Sequence, residues 1–231
     1  MPIRAVGFDI DGTLYPTAAL YRKLIGRGLP NLGFLIAFGR VRRELRALLT
    51  SPEYRARGIH SIEALHRFQA ELTAKHMGSD PERVYHDIEA FFYTASVAPF
   101  ATIDPYPGVS AVLDLLRASG LKLGALSDFP CDKKVELLGL ANKFDVTMTS
   151  EETGFVKPDR ASFDLLAQRL GVANEEILYV GNSEPYDVKG SLGAGMRAAI
   201  ISKKPGVRTA AEFAFFDFTK LGSYILSRDA N

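Results

Sequence analysis

The stretch ILYVGNSEPYDVKGSLGAGM, residues 177–196, joins an apolar run to a helix-like segment through a glycine. The run ILYVG is typical of a buried strand, and VKGSLGAG is typical of the helix that follows a strand in an α/β protein. Asn182 lies at the break, and Asp187 follows it five positions later. Taken alone, Asn and Ser at such a break can be ordinary cap and turn residues. The rest of the chain decides between a cap and a functional site.

The same alternation of strand and helix runs through the chain from about residue 97 onward. Helix-like periodicity covers residues 108–119, 133–140 and 160–170, and strand-like apolar runs cover residues 121–127, 143–150 and 197–202. Strands of nearly continuous apolar character between amphipathic helices indicate a parallel sheet that is covered on both faces. We therefore predict a Rossmann-like α/β fold, with a parallel sheet sandwiched by helices.

One further strand-like run, IRAVGFDI at residues 3–10, is separated from the others by about 80 residues. The intervening residues 21–49 and 61–94 have the spacing of amphipathic helices, so the gap is not a loop. Asp80 before Pro81 is typical of a helix start, because proline at the first helical position needs no backbone donor. We predict an α/β core domain interrupted by a helical insertion. The predicted bounds are 1–14 and 97–231 for the core domain, and 15–96 for the insertion.

The composition is that of an ordinary soluble enzyme. Of the 231 residues, 47% are hydrophobic, and 28 basic residues nearly balance 27 acidic ones. No net field favours nucleic acid or an anionic membrane, and we expect neither as a partner. Cys131 is the single cysteine, which fits a reducing compartment. The chain opens on a strand pattern and its most apolar run, residues 29–38, is too short to cross a bilayer, so we expect a soluble cytoplasmic protein.

Two carboxylates follow the first strand-like run, within FDIDGTLYP at residues 8–16. Asp9 and Asp11 are two positions apart, so their side chains point the same way if the backbone stays extended. Close together they would repel each other, and a divalent cation between them would let both ionise. Gly12 permits a sharp turn after them. We favour a cation and anion site here over the alternative, which is two acids that cap a following helix.

Polar residues also follow three later strand-like runs. Ser127 follows the run ALS, Lys157 lies in GFVKPD, and Asn182 and Asp187 follow ILYVG. In an open parallel sheet the ligand binds beyond the carboxyl ends of the strands, so these side chains are expected to converge. Alone, Ser127 is typical of a turn and Lys157 of a solvated surface. Together with the two acids, they predict one site.

The predicted donor set indicates a magnesium site that handles phosphate. Hard oxygen ligands without His or Cys suit Mg²⁺ better than zinc. Mg²⁺ beside a lysine and a hydroxyl implies an anionic, oxygen-rich substrate, and phosphate is the common one. The chain has no G-x-x-x-x-G-K-[ST] loop, and no G-x-G-x-x-G follows the first strand, so nucleotide-binding loops of those types are not predicted.

In these motifs the sequence resembles the haloacid dehalogenase superfamily, and within it the phosphatases with a helical cap inserted after the first strand. FDIDGTLYP resembles the first motif, LSD the second, TGFVKPD the third and YVGNSEPYDVKGSLGAGM the fourth, in the same order. The resemblance implies a HAD-like core with residues 15–96 as the cap. It also implies a Mg²⁺-dependent phosphatase, acting on a small phosphorylated metabolite through an aspartyl-phosphate intermediate.

The resemblance assigns a role to each matching residue. Asp9 would be the nucleophile and a metal ligand, and Asp11 would be the general acid and base, with its backbone carbonyl on the metal. That role of Asp11 asks for a pKa near working pH. Ser127 and Lys157 would hold the transferring phosphoryl group. Asp11 also argues against a dehalogenase, because halide release needs no proton.

Asn182 departs from the family pattern, which usually has a metal-binding aspartate there. Either Asn182 or Asp187 is expected to contact Mg²⁺, and Glu184 is a weaker candidate. Two alternatives to a phosphatase stay open: a phosphomutase of the same superfamily, and a binding module whose catalysis has weakened. Substrate identity and oligomeric state are not predicted.

The cap segment contributes histidines and arginines without a recognised motif. We expect surface or packing roles for the histidines, and a solvated helix face for the arginines in preference to contact with an anionic substrate. The histidines are His60, His66, His76 and His86, and the arginines are Arg22, Arg27, Arg40, Arg42 and Arg43.

Overall fold

A computed structural model describes residues 1–25, 32–56, 61–204 and 206–229. In the described residues the strands form one six-stranded parallel sheet, in the order β3-β2-β1-β4-β5-β6. The strands are β1 (Ala5–Phe8), β2 (Lys122–Ser127), β3 (Val146–Thr149), β4 (Ile177–Gly181), β5 (Arg197–Ile201) and β6 (Phe213–Phe215). The predicted α/β fold with a parallel sheet is therefore confirmed.

Four of the helices of the sheet domain match predicted segments closely, and a fifth was not predicted. In chain order they are α6 (Val109–Ala118), α7 (Asp132–Leu137), α8 (Arg160–Leu170), α9 (Lys189–Gly193) and α10 (Phe218–Asp229). Helix α10 and strand β6 lie beyond the predicted segments, the last of which ends at residue 202. A short π-helical turn, Glu184–Val188, leads into α9.

Helices cover both faces of the sheet, as the apolar strands require. Along β1, Val6 and Phe8 point into a core that also contains side chains of α6, α7 and α10. Ala5 points to the opposite face, where Phe163 and Leu166 of α8 pack. All residues of β1 and β4 are buried, which explains why their sequences are apolar without alternation.

The segment between β1 and α6 is helical, as predicted. Its helices are α1 (Thr17–Ile25), α2 (Leu32–Leu49), α3 (Pro52–Ala56), α4 (Ile62–Met77) and α5 (Pro81–Ile88), followed by a π-helical segment, Glu89–Ala95, and a 3-10 turn, Ala98–Thr102. Helix α5 begins where the sequence indicates, because the Asp80 side chain accepts from the Arg83 N–H and Pro81 opens the helix. The predicted boundary of this cap segment at 15–96 stays a prediction.

Buried aromatic side chains pack within the cap segment and against the sheet domain. Phe38 of α2 stacks on Phe92 with ring centroids 3.7 Å apart. Tyr54 and Leu65 share a core with Phe155 and Val156 of the sheet domain.

None of the described helices is long and apolar enough to cross a membrane.

Candidate active site

The carboxyl end of the central strand β1 carries the candidate site. β1 pairs with β2 on one side and with β4 on the other, so the residues that follow these three strands share one edge of the sheet. Asp9 follows β1 directly, Ser127 ends β2, and Asn182 follows β4. The structure brings all six predicted site residues into one network of contacts.

Asp9 is buried and held at both carboxylate oxygens. Lys157 Nζ lies 2.7 Å from Oδ1, and the Thr13 hydroxyl donates to Oδ2 at 2.7 Å. Burial raises the pKa of Asp9 to about 7, against the lowering effect of Lys157, and the charges of Asp187 and Asp11 raise it further. The Thr13 contact was not predicted, although its spacing of four residues from Asp9 fits the turn that Gly12 opens.

Lys157 is a buried cation between two carboxylates. Its Nζ is 2.7 Å from Asp187 Oδ1 and 2.7 Å from Asp9 Oδ1, and its side chain is only 4% exposed. Burial alone would lower the pKa of Lys157, but the charges of Asp187 and Asp9 outweigh it and hold this pKa well above its usual value. Lys157 is therefore charged, and it neutralises part of the acidic cluster.

Asp11 accepts from three donors at the cap side of the site. The Tyr15 hydroxyl lies 2.6 Å from Oδ1, the Ser127 hydroxyl 2.9 Å from Oδ2, and Lys134 Nζ 3.1 and 2.9 Å from the two oxygens. Burial alone would raise the pKa of Asp11, but the charge of Lys134 and these hydrogen bonds outweigh it and lower the pKa. The expected pKa near working pH is therefore not found in this arrangement. The predicted partner of Ser127 was a phosphoryl group, and its partner here is Asp11.

Lys134, like Thr13 and Tyr15, contacts the candidate site but was not predicted from the sequence. It lies on α7, is 5% exposed, and its ammonium group also lies over the rings of Phe100 and Phe129 at 5.5 and 5.4 Å. Its neighbour Lys133 is exposed and pairs with Glu136. Of these two adjacent lysines, Lys133 therefore lies on the surface and Lys134 contacts the candidate site.

The loop after β4 is shaped by Asp187. Asp187 Oδ2 accepts from the backbone N–H groups of Asn182 and Ser183 at 3.1 and 2.9 Å, and Oδ1 accepts from Lys157. A Cβ at Gly181 would lie 2.2 Å from the Asp187 Cβ, so only glycine allows this approach. Gly181 therefore ends β4 at the point where the Asp187 side chain packs against the backbone.

Asn182 lies against the turn that follows β1. Its amide group is 3.3 Å from the Asp11 backbone carbonyl oxygen, and a Cβ at Gly12 would lie 2.1 Å from Asn182 Nδ2. Gly12 also has a φ of +93°, which disfavours other residues. Glu184, the weaker metal candidate, instead accepts from Thr209 and from the Ala210 N–H.

The oxygen atoms of the candidate site that could bind a metal ion belong to carboxylate, carbonyl and amide groups. Among the described residues, no group of three or more His, Cys, Asp or Glu side chains is arranged to hold a metal ion. The available set is the Asp9 carboxylate, the Asp11 carbonyl and the Asn182 amide, which are hard oxygen donors of the type that Mg²⁺ prefers. By donor chemistry these residues fit Mg²⁺.

A buried ionic network joins α2 and α4 of the cap segment to the sheet domain. Arg42 donates to Glu151 at 2.7 Å and to the Asp128 carbonyl at 3.0 Å, and His66 lies 3.1 Å from Glu151. Arg46 donates to the Asp128 carboxylate at 2.8 Å. The expectation of a solvated face is wrong for Arg42, which is 6% exposed, because the sheet domain supplies a buried carboxylate opposite it.

The remaining cap histidines and arginines behave mostly as expected. His66 is buried in the ionic network, consistent with a packing role, while His86 is exposed. Arg22, Arg40 and Arg43 are exposed. Arg27 and His60 lie outside the described residues.

Comparison with known proteins identifies related chains. A family model described as "haloacid dehalogenase-like hydrolase" matches residues 3–195. A glyceraldehyde 3-phosphate phosphatase of Methanopyrus kandleri is 33% identical over 213 residues, which are 84% of this chain and 82% of that protein. A phosphoglycolate phosphatase of Rhodospirillum rubrum is 28% identical over 234 residues, 96% of this chain and 90% of that protein.

Solved structures share the fold along nearly the whole chain. A HAD phosphatase of Thermococcus onnurineus has a TM-score of 0.61 at 25% identity, with 98% of this chain and 99% of that chain covered. An L-2-haloacid dehalogenase of Xanthobacter autotrophicus has a TM-score of 0.67 at 19% identity, with 97% and 98% covered. The second likeness concerns the fold alone.

Proposed function

The chain belongs to the haloacid dehalogenase-like hydrolases, and we propose that it is a Mg²⁺-dependent phosphatase that hydrolyses a small phosphate monoester. The observation that carries the proposal is the pair Asp9 and Lys157, a buried carboxylate with its lysine at 2.7 Å. Relatives named as phosphatases support the reaction type, including a phosphoserine phosphatase of Thermus thermophilus that is 36% identical over 129 residues.

Asp9 is the proposed nucleophile. One of its carboxylate oxygens attacks phosphorus, the bond from phosphorus to the ester oxygen breaks, and an aspartyl-phosphate forms. Water then attacks the same phosphorus and releases inorganic phosphate and the Asp9 carboxylate. Thr13 and Lys157 orient this carboxylate, and the fixed charge of Lys157 offsets the negative charge that gathers at the transferring group.

Asp11 is the proposed acid and base. It gives a proton to the leaving alkoxide oxygen in the first step and takes a proton from water in the second. In the described arrangement Asp11 is held as a carboxylate by Lys134, Tyr15 and Ser127. To act as the acid, Asp11 therefore has to take up a proton from solvent as substrate enters, which requires that its contacts with Lys134 and Ser127 be exchanged. The Ser127 hydroxyl then donates to the phosphoryl group instead.

Asp9, the Asp11 carbonyl and Asn182 are the proposed holders of Mg²⁺. When bound, the ion supplies positive charge that stabilises the anionic phosphoryl group during transfer. The Asn182 amide lies beside the Asp11 carbonyl, and with the amide turned over its oxygen and that carbonyl would both be available to hold the ion. Asp187 has both oxygens engaged by Lys157 and by two backbone N–H groups, so it is proposed to position the loop while Asn182 contacts the ion.

Phosphate release from p-nitrophenyl phosphate tests the proposal. With Mg²⁺ present, the wild type is expected to release phosphate, whereas Asp9→Asn is expected to be inactive and the exposed control Asp104→Asn fully active. Equal rates for the wild type and Asp9→Asn would refute it. Transfer of phosphate between positions of a sugar, without net release, would instead favour the phosphomutase, and ligand binding without turnover would favour the binding module.

A second experiment separates Asn182 from Asp187. The Mg²⁺ concentration for half-maximal activity is expected to fall in Asn182→Asp, because a carboxylate adds charge to the ion site, and to rise in Asn182→Ala. Asp187→Asn is expected to lower activity even at saturating Mg²⁺. The reason is that Lys157 and the loop after β4 both lose a carboxylate partner. A larger change in Mg²⁺ requirement for Asp187→Asn than for Asn182→Ala would reverse the assignment.

A further inference from the structure

A cavity of about 390 Å³ lies between the cap segment and the sheet domain and reaches Asp11. Residues of α1, α2 and the π-helical segment line it from the cap side, and Phe100, Phe129 and Lys134 line it from the sheet side. Because Asp11 is the proposed proton donor to the leaving oxygen, the alcohol part of a bound phosphate ester would occupy this space. The side chains that line the cavity therefore indicate which kind of leaving group the site accepts.

The walls of this cavity are mainly apolar. The lining includes leucines of α1 and α2 and aromatic rings from several segments, among them Leu20, Leu35, Phe38, Phe92, Phe100 and Phe129. A cavity of about 150 Å³ with such a lining is enough to hold a benzene ring. The space here accommodates an aromatic ring together with the short linker to its phosphate.

The cations that line the cavity already have partners. Arg42 is paired with Glu151, Arg46 with the Asp128 carboxylate, and Lys134 with Asp11. A carboxylate on the leaving group would have to break one of these pairs, and two of them are largely buried. Among the described lining residues, no cation is left for a small acidic leaving group such as glycolate.

From these two features we propose that the preferred substrate is a phosphate monoester of an apolar alcohol, with an aromatic or similarly sized apolar group bound between the cap segment and the sheet domain. This inference rests on the proposed phosphatase function and adds the class of its leaving group. An apolar group gains from burial against these walls, whereas a small charged group gives up its hydration without finding a free partner.

Gly39 offers a direct way to test the cavity. It lies in α2, lines the cavity, and a Cβ built on it would meet nothing within 4 Å. A side chain at this position would therefore start in open space beside Leu35 and Arg42, the residues one helical turn before and after it. Gly39→Leu is expected to fill part of the cavity, and Gly39 is not one of the proposed catalytic residues.

Three primary alkyl phosphates with similar leaving oxygens test the proposal: 2-phenylethyl phosphate, ethyl phosphate and 2-phosphoglycolate. With Mg²⁺, the wild type is expected to hydrolyse 2-phenylethyl phosphate with a kcat/KM at least about tenfold above that of the other two, a ratio typical of discrimination by an apolar pocket. Gly39→Leu is expected to lower kcat/KM for 2-phenylethyl phosphate at least about fivefold and to leave ethyl phosphate nearly unchanged. The matched control Gly193→Leu, whose Cβ also meets nothing within 4 Å, is expected to behave as the wild type.

The outcomes separate the two proposals. A preference for 2-phosphoglycolate, or equal loss on all three esters in Gly39→Leu, would overturn the inference and leave a phosphatase in place. If no ester is hydrolysed, thermal stabilisation by 2-phenylethyl phosphonate and by ethyl phosphonate decides the inference by itself. Stronger stabilisation by the phenylethyl compound, lost in Gly39→Leu, would support the apolar subsite while the phosphatase proposal fails, and equal stabilisation would overturn both.

Discussion

At the scale of single residues, some residues of the candidate site follow a strand of the sheet, whereas others lie on a helix or a later loop. Asp9 and Asp11 could be predicted because they follow an apolar run and topology brings the ends of such runs together. Lys157 was predicted in the same way, but it lies eight residues after β3, beyond a 3-10 turn, Ser150–Thr153. Lys134 could not be predicted that way, because it lies on a helix and beside a second lysine. A signal was present: Lys134 is three positions after Cys131 and four before Leu138, both buried, so it shares their inward face.

The contact between Lys134 and Asp11 is expected to appear in stability measurements. In a double-mutant cycle with Lys134→Met and Asp11→Asn, the two changes are expected to couple by roughly 0.5–3 kcal/mol in the free energy of unfolding, because each removes the other's charged partner. Urea denaturation of the four proteins measures this coupling. The same cycle with Lys133→Met, an exposed neighbour, serves as the control and should show additivity.

Gly12 is expected to tolerate no side chain. Its positive φ and the contact with Asn182 mean that Gly12→Ala strains the backbone and displaces the amide. We expect a loss of about 1–3 kcal/mol in the free energy of unfolding, together with a higher Mg²⁺ requirement. Gly78→Ala, which also has a positive φ but meets nothing within 4 Å, is the control. It should lose some stability and keep the Mg²⁺ requirement of the wild type.

At the scale of elements, the contacts between the cap helices and the sheet domain are charged as well as apolar. α2 supplies Arg42 and Arg46, α4 supplies His66, and the segments after β2 and β3 supply Asp128 and Glu151. Glu151 is fully buried and its carboxylate also accepts from the Tyr93 hydroxyl at 2.9 Å. The sequence predicted these helices but not the network, because helical periodicity does not reveal which charged residue meets a buried partner from a distant segment.

Removal of Arg42 is expected to be costly. Arg42→Met leaves Glu151 buried without its main cation, and breaking a buried pair in this way costs about 3–5 kcal/mol. Urea denaturation measures the loss, and Arg43→Met, an exposed neighbour on the same helix, is expected to change stability by less than about 0.5 kcal/mol. Equal stability of the two variants would contradict the network.

His66 is expected to make stability depend on pH. Burial alone would lower its pKa, but hydrogen bonds and charges from Glu151 and Glu89 outweigh it and raise the pKa above the unfolded value of about 6.5. Protonation therefore stabilises the fold: this contribution is complete below about pH 6.5 and is lost as the pH rises through the folded-state pKa. Thermal unfolding is expected to show a larger deficit of His66→Gln relative to the wild type at pH 6 than at pH 9. The exposed control His86→Gln should show no such trend.

At the scale of the whole molecule, the hydrophobic pattern of the sequence predicted the strands and helices better than it predicted how they pack together. The strands and helices between residues 97 and 202 follow from hydrophobic periodicity, and the common edge of the sheet follows from parallel pairing. The short strand β6, which has three residues, gave no comparable pattern. The cavity was not predictable either, because its walls come from segments about 90 residues apart in the chain, such as Phe38 and Phe129.

The central claim is that Asp9 is the group to which phosphate is transferred. The most direct measurement is mass spectrometry of the Asp11→Asn variant, quenched in acid during turnover of p-nitrophenyl phosphate with Mg²⁺. Loss of the proposed base should slow the water step, so one phosphoryl group is expected on the peptide that contains Asp9, and none in Asp9→Asn. Phosphorylation at another residue, or release of phosphate by Asp9→Asn at the wild-type rate, would contradict the account.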